Sequence, residues 1–353
     1  MVRILVTGGM GFIGGNFVRL VLRERPEWEL WNVDALTYAA NPESLTDVAP
    51  AAEAAGRYRF VRCDIADEPA IAALLGGRRF DAVVNFAAES HVDRSIQSSA
   101  PFVRANVMGT QVLLDAARRG RVRRFVQVST DEVYGDLGPE DAPFTESTPL
   151  APSSPYSASK AAADHLALAY HRTHGLDVVV TRCSNNYGPY QFPEKLIPLT
   201  IVNALAGAKL PVYGRGENVR DWIHVDDHCR GVLAVLERGR AGEVYNFGGA
   251  SERRNLDVVR ALVRAVGASE AQIEFVADRP GHDRRYAIDF RKSEAELGWR
   301  PSRDFEAGLQ ETVAWYLANR GWWGRVQDGA YRKSAEMIRS WSGGPPPVDA
   351  AGR

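Results

Sequence analysis

Thr7-Gly8-Gly9-Met10-Gly11-Phe12-Ile13-Gly14 decides how the rest of the chain reads. It follows an apolar run at 2–6 and opens a helical pattern at 12–22. The spacing fits G-x-G-x-x-G through Gly9, Gly11 and Gly14, and G-x-x-G-x-x-G through Gly8, Gly11 and Gly14. Glycine lets such a turn tighten and lets backbone approach a pyrophosphate, whose charge the helix N-terminus stabilises. Asp34 ends the next apolar run, about 20 residues beyond Gly14, where a carboxylate holds ribose hydroxyls and repels a 2′-phosphate. The combination predicts a dinucleotide site that prefers NAD to NADP. Asp64, ending a third run, is expected at the adenine edge.

Outward from the loop, apolar runs at 30–33, 59–62, 82–86, 125–128 and 178–181 alternate with helical patterns at 70–75, 102–118 and 156–174. Near-continuous Val/Ile/Leu runs between helices indicate a parallel sheet covered on both faces. The predicted class is therefore α/β, a Rossmann-type doubly wound parallel sheet with a smaller mixed α/β C-terminal lobe for a substrate. From about Tyr187 the alternation breaks down, as Pro189, Pro193, Pro198 and Pro211 interrupt the chain and Gly207, Gly214 and Gly216 add loop. Shorter elements are expected at 229–236, 244–247, 256–266, 273–276 and 305–317. This assigns 1–186, with parts of 220–250, to the NAD-binding unit and 187–332 to the second lobe. The tail 333–353 is expected to be partly disordered, because it has little to bury.

The composition excludes other classes. At 353 residues, 45% hydrophobic and 25% charged, with a formal net charge of −1, the chain carries no global field to recruit nucleic acid or an acidic membrane. The opening run reads as a strand, with neither the basic region of a secretory signal nor the length of a membrane span. Cys63, Cys183 and Cys229 are too few and scattered for a disulfide framework, so a reducing cytoplasm is expected. His165, His171 and His174 read as helix-face residues, and His224-Val225-Asp226-Asp227-His228 as a helix opening with acids at its N-terminus. No metal is expected.

Two further segments carry chemistry. Tyr156 and Lys160 stand at i, i+4, on one face of a helix. A free tyrosine has a pKa of about 10, so service as a base requires Lys160, with the positive charge of the nicotinamide, to stabilise the phenolate; a shift of roughly three units corresponds to about 4 kcal/mol. Upstream, Ser129-Thr130-Asp131-Glu132 sets two carboxyls side by side at a strand end. Neighbouring carboxyls in different environments divide into acid and base.

These segments, with Asn85-Phe86-Ala87-Ala88-Glu89-Ser90-His91-Val92-Asp93, Asn185-Asn186-Tyr187-Gly188-Pro189, Glu194-Lys195-Leu196-Ile197-Pro198, Arg220-Asp221-Trp222 and Arg279-Pro280-Gly281-His282-Asp283, resemble the extended short-chain dehydrogenase/reductases of the nucleotide-sugar-modifying branch. Within that branch the chain is similar to the dTDP-glucose 4,6-dehydratase family of lyases over about residues 1–332. The glycine loop and the Tyr/Lys pair mark only the superfamily. Thr130-Asp131-Glu132 is more specific, since epimerases typically lack the acid pair there.

The resemblance implies an NAD-dependent dehydration of dTDP-glucose at the head of deoxysugar biosynthesis. Tyr156, tuned by Lys160, would take the 4-hydroxyl proton while Thr130 holds that hydroxyl. Glu132 would remove the C5 proton and Asp131 protonate the departing 6-hydroxyl. Gly8, Gly11, Phe12, Ile13, Gly14, Asp34, Asp64, Ile65 and Ala87 would line the cofactor together with Tyr156 and Lys160. Ser90 would lie near the hexose, and Asn186 and Arg220 at the diphosphate. Glu194, Lys195 and Leu196 would line sugar and nucleotide, with Pro211, Val212 and Tyr213 bracketing the base. Asn255, Arg279 and His282 would complete the diphosphate and ribose end.

A homodimer is implied, through helices near 102–118 and 156–174. Beyond Tyr331 the likeness gives out, and Trp341 is the candidate aromatic for closing over the nucleotide. The alternatives are a 4,6-dehydratase or 4-epimerase for another nucleotide sugar, and a non-catalytic sensor of NAD and nucleotide sugar.

Overall fold

A computed structural model describes residues 2–327. Strands β1 (Arg3–Thr7), β2 (Glu29–Asp34), β3 (Tyr58–Arg62), β4 (Ala82–Asn85), β5 (Arg124–Thr130) and β6 (Asp177–Cys183) lie in the spatial order 3-2-1-4-5-6, and strand Val244–Phe247 extends the sheet beyond β6. Every neighbouring pair is parallel. Alternate side chains of each strand enter different cores. Ile4 and Val6 pack with Phe17, Val21, Val232 and Val235, from helices Phe12–Glu24 and Val225–Arg238. Leu5 packs on the opposite face with Ile71, Leu75, Leu113 and Ala167, from helices Glu68–Gly76, Gly109–Arg119 and Pro155–His174. Burial on both faces is why these strands read as apolar runs; each buried aliphatic side chain contributes about 1.5–3 kcal/mol.

Strand order reverses between β1 and β4, and in open parallel sheets the crevice at that point, at the carboxyl ends of the strands, takes the ligand. The loops that follow these two strands meet there. A Cβ on Gly8 would lie 2.6 Å from the Ala87 nitrogen, and Gly8 has φ +71°.

The smaller lobe is built on Val219–His224, paired in parallel with Asn185–Tyr187 and antiparallel with Glu252–Arg254. A second parallel pair joins Leu210–Tyr213 to Ile273–Val276. Helices Leu196–Leu205, Asn255–Val266 and Phe305–Ala318 close a core containing Tyr187, Ile201, Trp222, Leu262, Leu309 and Tyr316. Helix Val225–Arg238 and strand Val244–Phe247 then carry the chain back onto the large sheet.

Three expectations needed correction. Pro198 does not interrupt the chain: it is the third residue of helix Leu196–Leu205, where a missing N–H forfeits no intrahelical bond. Pro211 stands within a strand, in a two-stranded pair whose edges tolerate it. The expected helix at 102–118 is not uniform, since a π-helical stretch, Val103–Met108, precedes the regular turns of Gly109–Arg119. Asn106 lies within that stretch, exchanging hydrogen bonds with the Glu89 backbone and donating to Ser159 Oγ at 2.8 Å. The tail expected to be disordered, with Trp341, lies outside the described residues.

Candidate active site

Two cavities, of about 480 and 1070 Å³, meet at the carboxyl end of the sheet. Six residues border both: Glu132, Asn185, Glu194, Lys195, Leu196 and Trp222.

The smaller cavity is lined by Gly8, Gly11, Phe12, Ile13, Gly14, Asp34, Asp64, Ile65, Ala87, Tyr156 and Lys160, every residue expected at the cofactor. A Cβ on Gly14 would fall 2.2 Å from the Gly8 carbonyl oxygen, so loop and helix pack too closely for any side chain. Helix Phe12–Glu24 begins at Gly11 with no side-chain cap, leaving its first N–H groups facing the cavity. Asp34 is buried, accepting from Met10 N at 3.0 Å and Leu36 N at 2.8 Å. Burial raises its carboxyl above the ordinary range against those two bonds. Asp64 accepts from Ala66 N and Arg104 Nη2 at the rim. This cradle fits a dinucleotide.

Thr130 ends β5, and its Oγ1 accepts from Glu132 N at 3.3 Å, capping the 3₁₀ turn Asp131–Tyr134. That turn presents the two carboxyls at the strand end. Asp131 is 1% exposed, and its Oδ2 has no hydrogen-bond partner among the described residues. Burial, then Glu132 and Asp221, push its carboxyl well above the usual range, with Arg220 and Thr130 opposing. Burial also raises Glu132, but Arg279, Lys195 and Arg220 pull the other way. Acids thus add to burial at Asp131, whereas three cations oppose it at Glu132, an asymmetry that favours Asp131 as proton donor and Glu132 as acceptor.

Helix Pro155–His174 starts on a Ser154/Ser157 capping box with Pro155 in its first turn, and Gly175 ends it in the left-handed region. Lys160 Nζ donates to Val128 O at 2.7 Å and is pushed down by burial. Burial, Glu132, Cys183 and Asp131 raise Tyr156 well above 10, and a hydrogen bond with Thr130 opposes them. Here desolvation and two neighbouring carboxyls outweigh the hydrogen bond.

The larger cavity collects Pro211, Val212, Tyr213, Arg220, Asn255, Arg279 and His282. Arg220 donates to the carbonyls of Val219, Asp283 and Arg284 and stacks on Tyr286, 4.1 Å from the ring centre. Its charge thus reaches the cavity with much of its fork committed to the protein. His282 faces Asp278 at 2.6 Å, and burial with Arg279 and Arg220 lowers it to about 4, so it is neutral at pH 7. Ser90 lines only the smaller cavity, and its carbonyl accepts from Lys195 Nζ at 2.9 Å.

Asn186, expected at the diphosphate, lines the dinucleotide cavity. Its amide is held by Ser184 O, Cys183 Sγ and His228 Nδ1. Asn185 is the member of the pair that borders both cavities, because adjacent strand residues face opposite ways. Sequence reasoning also gave no role to Trp222 at the junction or to Asp93 and Tyr286 in the larger cavity. Trp222 and Asp93 lie inside the recognised motifs, which was the one signal available for them.

A glycine cradle, a Tyr/Lys pair and an adjoining second cavity define an NAD-dependent short-chain dehydrogenase/reductase of the extended type. The family model described as GDP-mannose 4,6 dehydratase matches residues 5–312. The chain is 55% identical to the dTDP-glucose 4,6-dehydratase of an Actinoplanes species, over 91% of this chain and 99% of the relative. It is 50% identical to dTDP-glucose 4,6-dehydratase 1 of Escherichia coli K12, over 95% and 98% respectively. Among solved structures it resembles DesIV, the dTDP-glucose 4,6-dehydratase of Streptomyces venezuelae, solved with NAD bound. That match has a TM-score of 0.88 and 52% identity, covering 92% of this chain and all of that one. The chain belongs to the dTDP-glucose 4,6-dehydratases, within the family that this model describes.

Proposed function

We propose that this protein converts dTDP-D-glucose to dTDP-4-keto-6-deoxy-D-glucose, with NAD as a recycled cofactor. The observation that carries the proposal is the Asp131/Glu132 pair, two adjacent carboxyls in unequal electrostatic surroundings beside Tyr156, with Glu132 at the junction of the two cavities. The glycine loop and Asp34 would hold NAD, which would supply a hydride acceptor for C4 and a hydride donor for C6. Tyr156 takes the 4-hydroxyl proton, and Thr130 orients that hydroxyl. The 4-ketone acidifies C5, whose proton passes to Glu132. Asp131, kept protonated by burial, gives its proton to the 6-hydroxyl, which leaves as water. Hydride return to C6 is matched by a proton returned to C5, which regenerates the starting oxidation state.

The same reading assigns residues 1–186, with parts of 220–250, to the NAD-binding unit and 187–332 to the nucleotide-sugar lobe. The free cysteines suit a reducing cytoplasm, and no helix among the described residues is long and apolar enough to cross a membrane. Val103 and Met108, 47% and 50% exposed beside helix Pro155–His174, support a homodimer through these helices. The expected solution mass is that of two chains, and a single-chain mass by light scattering would refute the pairing.

The function is tested by incubating the protein with dTDP-glucose in D2O, followed by mass spectrometry and proton NMR. Loss of one water with deuterium at C5 is expected; unchanged dTDP-glucose would overturn the proposal.

A further inference from the structure

We infer that Asp93 is a positioning residue of the nucleotide-sugar cavity, an inference that rests on the function proposed above. Asp93 stands in the first turn of helix Val92–Gln97, on the segment that follows β4, and is 7% exposed. Its carboxylate reaches across to the smaller lobe. Oδ2 accepts from the Tyr213 hydroxyl at 3.0 Å, and Oδ1 faces Arg279 Nη1 at 3.5 Å. The partners lie 120 and 186 residues away in sequence, so the clasp joins separate parts of the fold.

Both partners line the larger cavity. The Tyr213 ring meets His282 edge-on at 5.9 Å, and Arg279 Nε is buried with no hydrogen-bond partner among the described residues. One carboxylate therefore fixes the phenol and the guanidinium that flank the cavity. It supplies a counter-charge to Arg279, since a largely buried cation left alone is costly. It leaves Arg279 Nε available to an arriving phosphate oxygen. Side chains held in their binding orientation spare the ligand the entropy of ordering them. This contribution falls on binding first, because Asp93 touches Tyr213 and Arg279 and makes no contact with Tyr156, Asp131 or Glu132 among its hydrogen bonds and ion pairs.

Asp93→Asn keeps an oxygen for Tyr213 but removes the charge that holds Arg279. In the NAD-loaded enzyme, KM for dTDP-glucose and the Kd of dTDP measured by calorimetry are expected to rise about tenfold, the weight of one charge-assisted hydrogen bond. The kcat and the NAD content should stay within about twofold of wild type, a split that general damage to the fold would not give. Combined with Arg279→Lys, the variant should bind dTDP no more weakly than the worse single variant, because both act on one contact. Unchanged dTDP affinity in Asp93→Asn, multiplying losses in the double variant, or a fall in kcat alone would overturn the assignment. Should Asp93→Asn not fold, the Tyr213→Phe and Arg279→Lys cycle carries the test, since both partners meet on Asp93; independent losses would then overturn it. A wild-type enzyme that fails to bind dTDP overturns the proposed function and this inference together. Wild-type binding with no effect of Asp93→Asn overturns this inference alone.

Discussion

Glu132→Gln is expected to lower water loss and C5 solvent exchange together by about a hundred- to ten-thousandfold, the usual worth of a positioned general base. The amide keeps the shape of the side chain but cannot accept the C5 proton. Oxidation at C4 does not need that proton, so the variant should still form the 4-keto sugar with reduced cofactor and stop there. The near-ultraviolet absorbance of reduced cofactor reports that accumulation, and deuterium incorporation reports exchange. Burial raises both carboxyls of the pair, but at Glu132 three cations, Arg279, Lys195 and Arg220, oppose it, whereas Glu132 and Asp221 add to it at Asp131, where Arg220 alone of the cations opposes. Those cations keep a larger share of it ionised, as a base requires. C5 exchange at the wild-type rate in Glu132→Gln would place the base elsewhere.

The parts of this site that were legible in the sequence are those set by local rules. The glycine loop could be read because a sharp turn between strand and helix needs glycine at Gly8 and Gly14, whatever the rest of the chain does. The inner strands of the large sheet could be read because burial on both faces leaves them largely apolar. Tyr156 and Lys160 could be paired because helical spacing puts them on one face. What could not be read depends on distant residues. Arg220 and Arg279 act on Glu132 from far along the chain, and Asp221 acts on Asp131 in the same way. The same holds for Asp93, whose two contacts are made only once the smaller lobe folds against helix Val92–Gln97. Asn185 and Asn186 show the limit most simply. The dipeptide is visible, but which amide faces the junction is set by the strand's orientation against Val219–His224. Pro198 misled for the opposite reason, since a residue that breaks helices in their interior is harmless in a first turn.

Asp131→Asn separates the other half of the pair and carries a second expectation of opposite sign. Elimination should slow by at least about a hundredfold, because the amide cannot deliver a proton to the departing 6-hydroxyl, whereas C4 oxidation and C5 exchange persist. Equal slowing of all three steps would argue for a structural role instead. Stability should move the other way. The Asp131 carboxyl is raised in the folded chain by burial, Glu132 and Asp221, so folding takes up a proton at pH values where the unfolded carboxyl, at about 3.9, has lost it. The wild-type protein is therefore penalised as pH rises from about 4 towards the folded value, and the penalty remains above it. Asparagine carries no such penalty. Denaturant unfolding should find Asp131→Asn more stable than wild type at pH 7, with the difference shrinking as the pH approaches 4. A variant that is slower and more stable is the signature of a group kept in an unfavourable place for its chemistry. Equal stability at both pH values would mean that Asp131 ionises in the folded protein as it does in the unfolded chain, and that it is not held ready as the acid.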